Sequence, residues 1–119
     1  MITTIFVADM DRAVKFYTDV LGCQVDMRFG NEWAQLKSAD GGATLGLHPA
    51  SQENPAGVKG SIQLGIEVKD SIHRRVEEMT AKGAKFSGPV RDDEQLWFAN
   101  FEDPDGNRLY LAQAKNNWV

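Results

Sequence analysis

The sequence predicts an α+β fold built from two βαβββ modules, and two observations support this prediction. The motif Val-x-Asp at positions 7–9 returns at 68–70, and Gly22, which closes the amphipathic stretch after the first motif, returns as Gly83 at the same offset. Strand-like and helix-like patterns also follow one another in the same order in each half of the chain. A repeat of about half the chain is too long for a solenoid, so we interpret it as a supersecondary module used twice. Two such modules facing each other would leave a cleft between them.

The first module begins with a β-rich run at residues 2–7, which predicts a strand. Asp9 or Asp11 can accept hydrogen bonds from the free amides at the start of a following helix. Apolar residues then recur at helical spacing up to Gly22, which is placed to end the helix in a left-handed conformation. Three strands are predicted next, at Gln24–Arg28, Glu32–Lys37 and Ala43–His48, the last two joined by the turn residues Asp40-Gly41-Gly42.

The second module repeats this order after a polar segment that contains proline and glycine. Residues 50–60 are predicted to link a module of about 1–49 to one of about 61–115, the two forming a single domain, 1–119. The predicted elements are a strand at Ile62–Val68, a helix at Ser71–Lys82, and strands at Ala84–Phe86, Leu96–Glu102 and Arg108–Gln113. The last two strands are joined by Asp-Pro-Asp-Gly-Asn at 103–107, which predicts a hairpin turn because proline presets one turn dihedral and Gly and Asn tolerate a positive one.

Composition indicates a compact domain and excludes several classes of partner. A chain of 119 residues with 42% hydrophobic residues can form a core. The formal net charge of −4 argues against nucleic acid and anionic membranes, which need a basic patch. No apolar run approaches the roughly 20 residues of a membrane span and no leader pattern is present, so we expect a cytoplasmic protein. Cys23 is the single cysteine, which excludes an internal disulfide and Cys-rich metal motifs.

Strand alternation separates two faces of the predicted sheet. One face is nearly all apolar, as expected of a face covered by helices. The other mixes aromatic and polar side chains, which is the composition of a small-molecule pocket. From this face we predict the ligand-binding residues Phe6, Trp33, Gln35, His48, Gln63, Glu67, Phe98, Asn100, Arg108 and Tyr110. The alternative is that the face packs against a second subunit, and both interpretations hold if a dimer completes the pocket.

These features resemble those of a known family. The chain has Val-x-Asp at 7–9, Phe16-Tyr17, Leu21-Gly22, the second Val-x-Asp at 68–70, Gly83-Ala84, and Phe-x-Asp-Pro-Asp-Gly-Asn at 101–107 before Leu109. In this order, and with the duplication, the motifs are similar to the glyoxalase / bleomycin-resistance / dioxygenase family, also called the vicinal oxygen chelate superfamily, over nearly the whole chain. The resemblance implies that the paired modules form a cupped, open mixed β-sheet with helices on its outer face. It also implies ligands bound inside the cup and assembly as a homodimer.

The resemblance also bears on metal binding. Metalloenzymes of this family hold one divalent ion with four inward strand residues, usually His or Glu, and the corresponding positions of this chain are Ile2, Gly46, Gln63 and Tyr110. None of them supplies an imidazole or a carboxylate, and one neutral amide oxygen would hold a divalent ion poorly. We therefore predict no metal and no cofactor, and chemistry in which a metal polarises two substrate oxygens is not expected.

Other inward residues offer few replacements for the missing ligands. His48 and Glu67 lie on the same predicted face, but one His and one Glu are too few for a metal site. His48 is interpreted as a ligand hydrogen-bond partner or as an incidental rim residue, and His73 as a solvated helix residue. Metal-free acid–base catalysis by Glu67 with His48 or Tyr110 stays open as an alternative.

The sequence thus predicts a metal-independent small-molecule-binding protein of the glyoxalase/bleomycin-resistance type, which sequesters an aromatic or planar ligand in the cup. The acidic balance of the chain favours a neutral or cationic ligand over an anionic one. The alternatives are a lyase, isomerase or dioxygenase of the same superfamily, and a dimerisation module whose cup is filled by its own side chains. The expected partners are a small-molecule ligand and a second copy of the chain, with no nucleic acid and no membrane. The segment 87–95, with its charged run 91–94, is interpreted as a solvated loop that could cover the cup.

Overall fold

The structure is a computed structural model of the chain, and it describes residues 1–57 and 63–115. The described residues fall into two compact units, one made of residues 1–57 and 104–106 and the other of residues 63–103 and 107–115. Parts of the predicted linker and of the predicted strand that begins at Ile62 lie outside the described residues. Within the described ranges, no helix is long and apolar enough to cross a membrane. The single-domain arrangement stays a prediction.

The first unit contains a four-stranded mixed sheet and one helical segment. Its elements are β1 (Thr3–Val7), α1 (Met10–Lys15), a π-helical turn (Phe16–Val20), β2 (Gln24–Phe29), β3 (Trp33–Lys37) and β4 (Thr44–Pro49). The strand order is β1-β4-β3-β2, with β1 parallel to β4 and the other pairs antiparallel. α1 packs against β4 and covers one face of this sheet. The opposite face, which carries the exposed residues Thr4, Lys37 and His48, is the open face.

The ends of the first helical segment follow from local sequence, but its middle does not. The Asp9 side chain accepts a hydrogen bond from the amide of Arg12 at 3.1 Å, so Asp9 is the N-cap of the two candidates. Gly22 has a φ of 76°, as predicted for the residue that ends the helix. The helix predicted up to Gly22 is not α-helical throughout, because the amide of Leu21 bonds to the carbonyl of Phe16 in a π-helical turn. This wider turn buries both of its aromatic residues and its valine.

The second unit contains a five-stranded mixed sheet and one helix. Its elements are β5 (Leu64–Glu67), α2 (Ile72–Ala81), β6 (Lys85–Phe86), β7 (Arg91–Asp92), β8 (Leu96–Glu102) and β9 (Arg108–Ala114). The strand order is β5-β9-β8-β6, with β7 also paired to β8, and only β5 and β9 are parallel. The run 91–94 is exposed, as the interpretation as a solvated loop requires, but its first two residues form a short strand rather than loop. β8 extends beyond the short β6, and Arg91 and Asp92 pair with the part of its edge that β6 leaves free. The predicted α+β class with open, mixed sheets is confirmed.

A glutamine side chain fixes the start of α2 to β9. Gln113 accepts a hydrogen bond from the amide of Ile72 at 2.8 Å and donates one to the carbonyl of Asp70 at 2.7 Å. Ser71 caps the helix, since its hydroxyl accepts from the amide of Arg74. The backbone amide of Ser71 and the side chain of Arg74 also hold the pKa of the Asp70 carboxyl below its ordinary value. These bonds hold α2 on one face of the second sheet, and the opposite face, which carries the exposed residues Gly65, Glu67 and Arg108, is the open face.

The cores lie on the helix-covered faces, as the alternation of apolar residues predicts. Buried residues from this pattern are Ile5, Val7, Ala34, Leu36, Leu45 and Leu47 in the first unit, and Val68, Ala99, Phe101, Leu109 and Leu111 in the second. Leu64 and Ile66 of β5 are only half-buried. Both units therefore pack the predicted apolar face of the sheet against their helix, and the mixed face lies on the opposite side.

The tip of the predicted turn at 103–107 belongs to the first unit. The buried carboxylate of Asp105 accepts hydrogen bonds from the amide of Ala8 at 3.2 Å and from the guanidinium of Arg12 at 2.9 Å. Gly57, with a φ of +74°, lies against the backbone of the same residue. A Cβ atom added to Gly57 would be 2.0 Å from the carbonyl oxygen of Asp105. This close approach requires glycine at position 57.

Candidate functional site

The open face of the first sheet carries three rings in contact. Phe6 of β1 and His48 of β4 are partners in the parallel pairing, and their ring centroids lie 5.7 Å apart. The indole of Trp33 on β3 meets the same imidazole at 6.3 Å, and both contacts are edge-to-face. The Nδ1 atom of His48 lies 2.8 Å from the carbonyl oxygen of Pro49. His48 is exposed at the edge of the cluster, whereas the other two rings are half-buried.

The indole of Trp33 lies directly over Gly46. A Cβ atom added to Gly46 would be 2.1 Å from Cη2 and 2.6 Å from Cζ2 of the indole. Real Cβ atoms do not approach other heavy atoms this closely, so only glycine leaves room for the ring in this position. Gly46 lies on β4 opposite Gln35 of β3, in the middle of the sheet. The first open face therefore has an aromatic floor that rests on the backbone of β4.

Sequence reasoning missed two residues of this face. Met27 and Phe29 of β2 are in register with Gln35 and Trp33, which lie on the open side of β3. They are 43% and 64% exposed. A register shift between Val25 and Met27 reverses the inward–outward pattern within β2, so alternation counted from the start of the strand places them wrongly. Their alternation with charged residues over 26–29 is the signal that could have identified them.

The open face of the second sheet lines a cavity of about 1310 Å³. Of the predicted ligand-binding residues, it includes Gln63, Glu67, Phe98, Asn100 and Tyr110. The phenol ring of Tyr110 lies over Gly65, because a Cβ atom added to Gly65 would be 2.3 Å from Cζ and 2.4 Å from Oη of the tyrosine. The guanidinium of Arg91 lies 5.8 Å from the centroid of the Phe98 ring. An aromatic side chain over a glycine thus occurs once on each open face.

A hydrogen-bonded pair of amides lies between this cavity and a smaller one. Nε2 of Gln63 donates to Oδ1 of Asn100 at 3.2 Å, and both residues line both cavities. The smaller cavity, of about 300 Å³, is also lined by Ser87, Glu102 and Arg108. Arg108 is therefore placed with the amides rather than with the aromatic residues of the larger cavity.

Glu67 and Tyr110, which were considered together for acid–base chemistry, lie in the same unit. The carboxylate of Glu67 is 70% exposed and lies 3.8 Å from the ammonium of Lys69. Tyr110 is on the same face, but no hydrogen bond joins it to Glu67 in the part of the chain that the structure describes. Gln35 donates to the carboxylate of Asp26 at 3.3 Å.

The residues at the positions of the family's metal ligands do not fit a divalent ion. Ile2 has no donor atom, Gly46 has no side chain, and the Gln63 amide is bonded to Asn100. Tyr110 offers only a phenol, whose ring lies on the sheet. Across residues 1–57 and 63–115, no three His, Cys, Asp or Glu side chains are grouped so that they could hold a metal ion. A metal site would therefore need ligands that these positions do not supply.

The structure distributes the predicted ligand-binding residues over two open faces. The first unit holds Phe6, Trp33, Gln35 and His48, and the second holds Gln63, Glu67, Phe98, Asn100, Arg108 and Tyr110. Their role in ligand binding stays a prediction. His73 lies apart from them, on α2, where it is exposed and contacts the ring of Trp97 at 5.6 Å.

Two units, each a mixed sheet with a helix on one face and aromatic residues on the other, define an α+β protein. The chain belongs to the Glyoxalase/Bleomycin resistance protein/Dioxygenase superfamily, whose family model matches residues 2–111. The resemblance predicted from the sequence is confirmed.

Two relatives by sequence and one solved structure show what the chain is similar to. The chain is 31% identical to the uncharacterized protein YurT of Bacillus subtilis (strain 168), over 95% of this chain and 97% of that one. It is also 31% identical to a probable chloroplastic lactoylglutathione lyase of Arabidopsis thaliana, over 90% of this chain but 33% of that protein, so it spans about a third of its length. The crystal structure of TnmS3, an antibiotic-binding protein from Streptomyces sp. CB03234, has a TM-score of 0.80 at 24% identity and covers 96% of this chain and 93% of its own. That likeness shows the fold.

Proposed function

We propose that the protein binds a planar aromatic small molecule on its open faces, without a metal ion, and sequesters it unchanged. The observation that carries this proposal is that aromatic rings occupy positions where related enzymes have metal ligands. Residue 46 is glycine, and the indole of Trp33 fills the space of a ligand side chain. Residue 110 is Tyr110, whose ring lies over Gly65. Two of the four positions that hold a metal in related enzymes thus carry aromatic surface in this chain.

Aromatic surface of this kind suits a flat ligand. Each favourable aromatic contact adds on the order of 1 kcal/mol beyond the area it buries. The rings of Trp33 and Tyr110 are already held against the sheet, so little side-chain freedom is lost when a ligand stacks on them. The description of TnmS3 as antibiotic-binding supports a binding role for a chain of this fold.

An enzyme of the same superfamily is the second candidate, because the Arabidopsis relative is named a probable lactoylglutathione lyase. The four positions described above supply no imidazole or carboxylate for such chemistry. The two functions therefore differ in their need for a metal, and metal content separates them.

Titration with planar compounds tests the binding function. We expect acridone, which is neutral, and proflavine, which is cationic, to quench the fluorescence of Trp33 saturably, and anthraquinone-2-sulfonate, which is anionic, to do so less. A background in which Trp97→Phe and Trp118→Phe are combined leaves Trp33 as the only tryptophan. If no compound of the panel perturbs Trp33 in that background, the open face of the first sheet is not a binding surface.

Purified protein is expected to contain far less than one divalent ion per chain, because Ile2, Gly46 and Tyr110 supply no strong donor. Elemental analysis for Zn, Ni, Fe and Mn after expression in supplemented medium measures this. About one ion per chain, removed by a chelator together with lactoylglutathione lyase activity, would contradict the binding function and favour the enzyme.

We also propose that the protein is a homodimer. β2 is the edge strand of the first sheet and all six of its residues are exposed. Three large apolar side chains on this strand, Val25, Met27 and Phe29, are 47%, 43% and 64% exposed. An exposed apolar edge strand is usually covered by another element or another chain. Light scattering is expected to give twice the chain mass. A monomer mass that stays constant over a wide range of concentration would overturn this proposal.

A further inference from the structure

We propose that the Gln63–Asn100 amide pair recognises a lactam edge, so that the ligand class of the second open face is planar aromatic cyclic amides. This inference rests on the proposed function and names its ligand more closely. Asn100 is half-buried in the middle of β8, in register with Tyr110 of β9, and Gln63 lies just before β5. Both amides face the cavity whose wall includes Phe98.

The amide pair keeps free donor and acceptor groups after its internal hydrogen bond is formed. A primary amide has two N–H donors and one carbonyl oxygen. The bond from Nε2 of Gln63 to Oδ1 of Asn100 leaves the Asn100 NH₂ group and the Gln63 carbonyl oxygen without a partner among the described residues. Exchanging nitrogen and oxygen in both amides reverses the bond but again leaves one NH₂ group and one carbonyl oxygen. In either orientation, one NH₂ group and one carbonyl oxygen stay free, so the pair can offer both a donor and an acceptor to a ligand.

A lactam matches this pattern because its N–H and its C=O are adjacent and lie in the plane of the ring. The lactam N–H can donate to the free carbonyl oxygen while the lactam oxygen accepts from the free NH₂ group. A carboxylate has only acceptors and an amine only donors, so each would leave one of the two amide groups unpaired as it is buried. Leaving such a group unpaired is what makes discrimination between close analogues large.

The surroundings of the pair favour a neutral ring system. The rings of Phe98 and Tyr110 line the same cavity, whose volume of about 1310 Å³ has room for several fused rings. The charged residues that line it are Glu67 and Lys69, which lie 3.8 Å apart and offset each other. The cavity therefore has aromatic walls, an amide pair and no dominant charge.

The test compares phenanthridin-6(5H)-one, a planar tricyclic lactam, with its N-methyl derivative, which lacks the donor. We expect calorimetry to show that the intact protein binds the lactam more tightly by about tenfold or more. In Gln63→Met and in Asn100→Leu, which keep side-chain size and remove the amide, this preference is expected to fall to about threefold or less through weaker binding of the lactam. Gln52→Met makes the same change at an exposed loop residue and is expected to keep the full preference.

The outcomes separate this inference from the proposed function. Equal binding of the two compounds by the intact protein overturns lactam recognition and leaves aromatic binding standing. A preference that survives in both variants also overturns it, because the amides would then not be its cause. Gln63 is exposed, so Gln63→Met decides the matter even if Asn100→Leu does not fold. If neither compound binds while acridone or proflavine does, the lactam inference alone fails. If no planar compound binds, the proposed function fails, and the inference fails with it.

Discussion

Trp33→Ala is expected to weaken the binding of a planar aromatic compound by more than about tenfold, which corresponds to about 1.4 kcal/mol. The substitution removes the ring that lies over Gly46, and with it both the stacking contact and the apolar surface that a ligand would cover. Equilibrium dialysis or calorimetry with acridone measures the loss without relying on the tryptophan signal. Circular dichroism establishes that the variant is folded.

Two further variants separate the indole from a general effect on stability. Trp97→Ala removes a tryptophan that contacts His73 of α2 and the ammonium of Lys115, so its effect on acridone binding is expected to be within about twofold. Gly46→Ala keeps the indole but puts a methyl group into the space that the indole occupies. Acridone binding is expected to weaken because the ring must move away from β4. Acridone binding by Trp33→Ala as tight as by the parent protein would show that this face is not the site.

Gly57→Ala is expected to lower the free energy of unfolding by about 3 kcal/mol, combining backbone strain at a positive φ with a steric clash. The new Cβ atom would lie 2.0 Å from the carbonyl oxygen of Asp105. A backbone atom cannot move aside as a side-chain tip can, so relief requires displacement of the turn whose Asp105 carboxylate binds Ala8 and Arg12. Urea unfolding followed by circular dichroism measures the loss.

Gly41→Ala is the matched control for this substitution. Gly41 has a φ of +73°, against +74° for Gly57, but an added Cβ atom at position 41 would have no heavy atom within 4 Å. It therefore carries the cost of the left-handed conformation without the clash, and we expect a loss of about 1 kcal/mol. Equal losses of unfolding free energy in the two variants would contradict a steric clash between the new Cβ atom at position 57 and Asp105.

Features that depend on neighbours in the chain were predictable from the residues. Asp9 caps the first helix and Gly22 ends the helical segment, because both roles require only local backbone geometry. The apolar face of each sheet was predictable for the same reason, since alternation along a strand decides which side chains share a face. Together with the duplication at 7–9 and 68–70, these local features determined the α+β class and the family.

Contacts between distant residues decided the rest, because they depend on how separate segments meet. Three features depend on packing or on a partner strand. They are the π-helical turn, the bulge that turns Met27 to the open face and the pairing of β7 with β8. The sequence showed that position 46 lacks a metal ligand. It did not show whether the space beside Gly46 is empty or is filled by a side chain from another strand. Only the pairing of β3 with β4 places the Trp33 indole over Gly46, and this contact makes the missing ligand an aromatic surface.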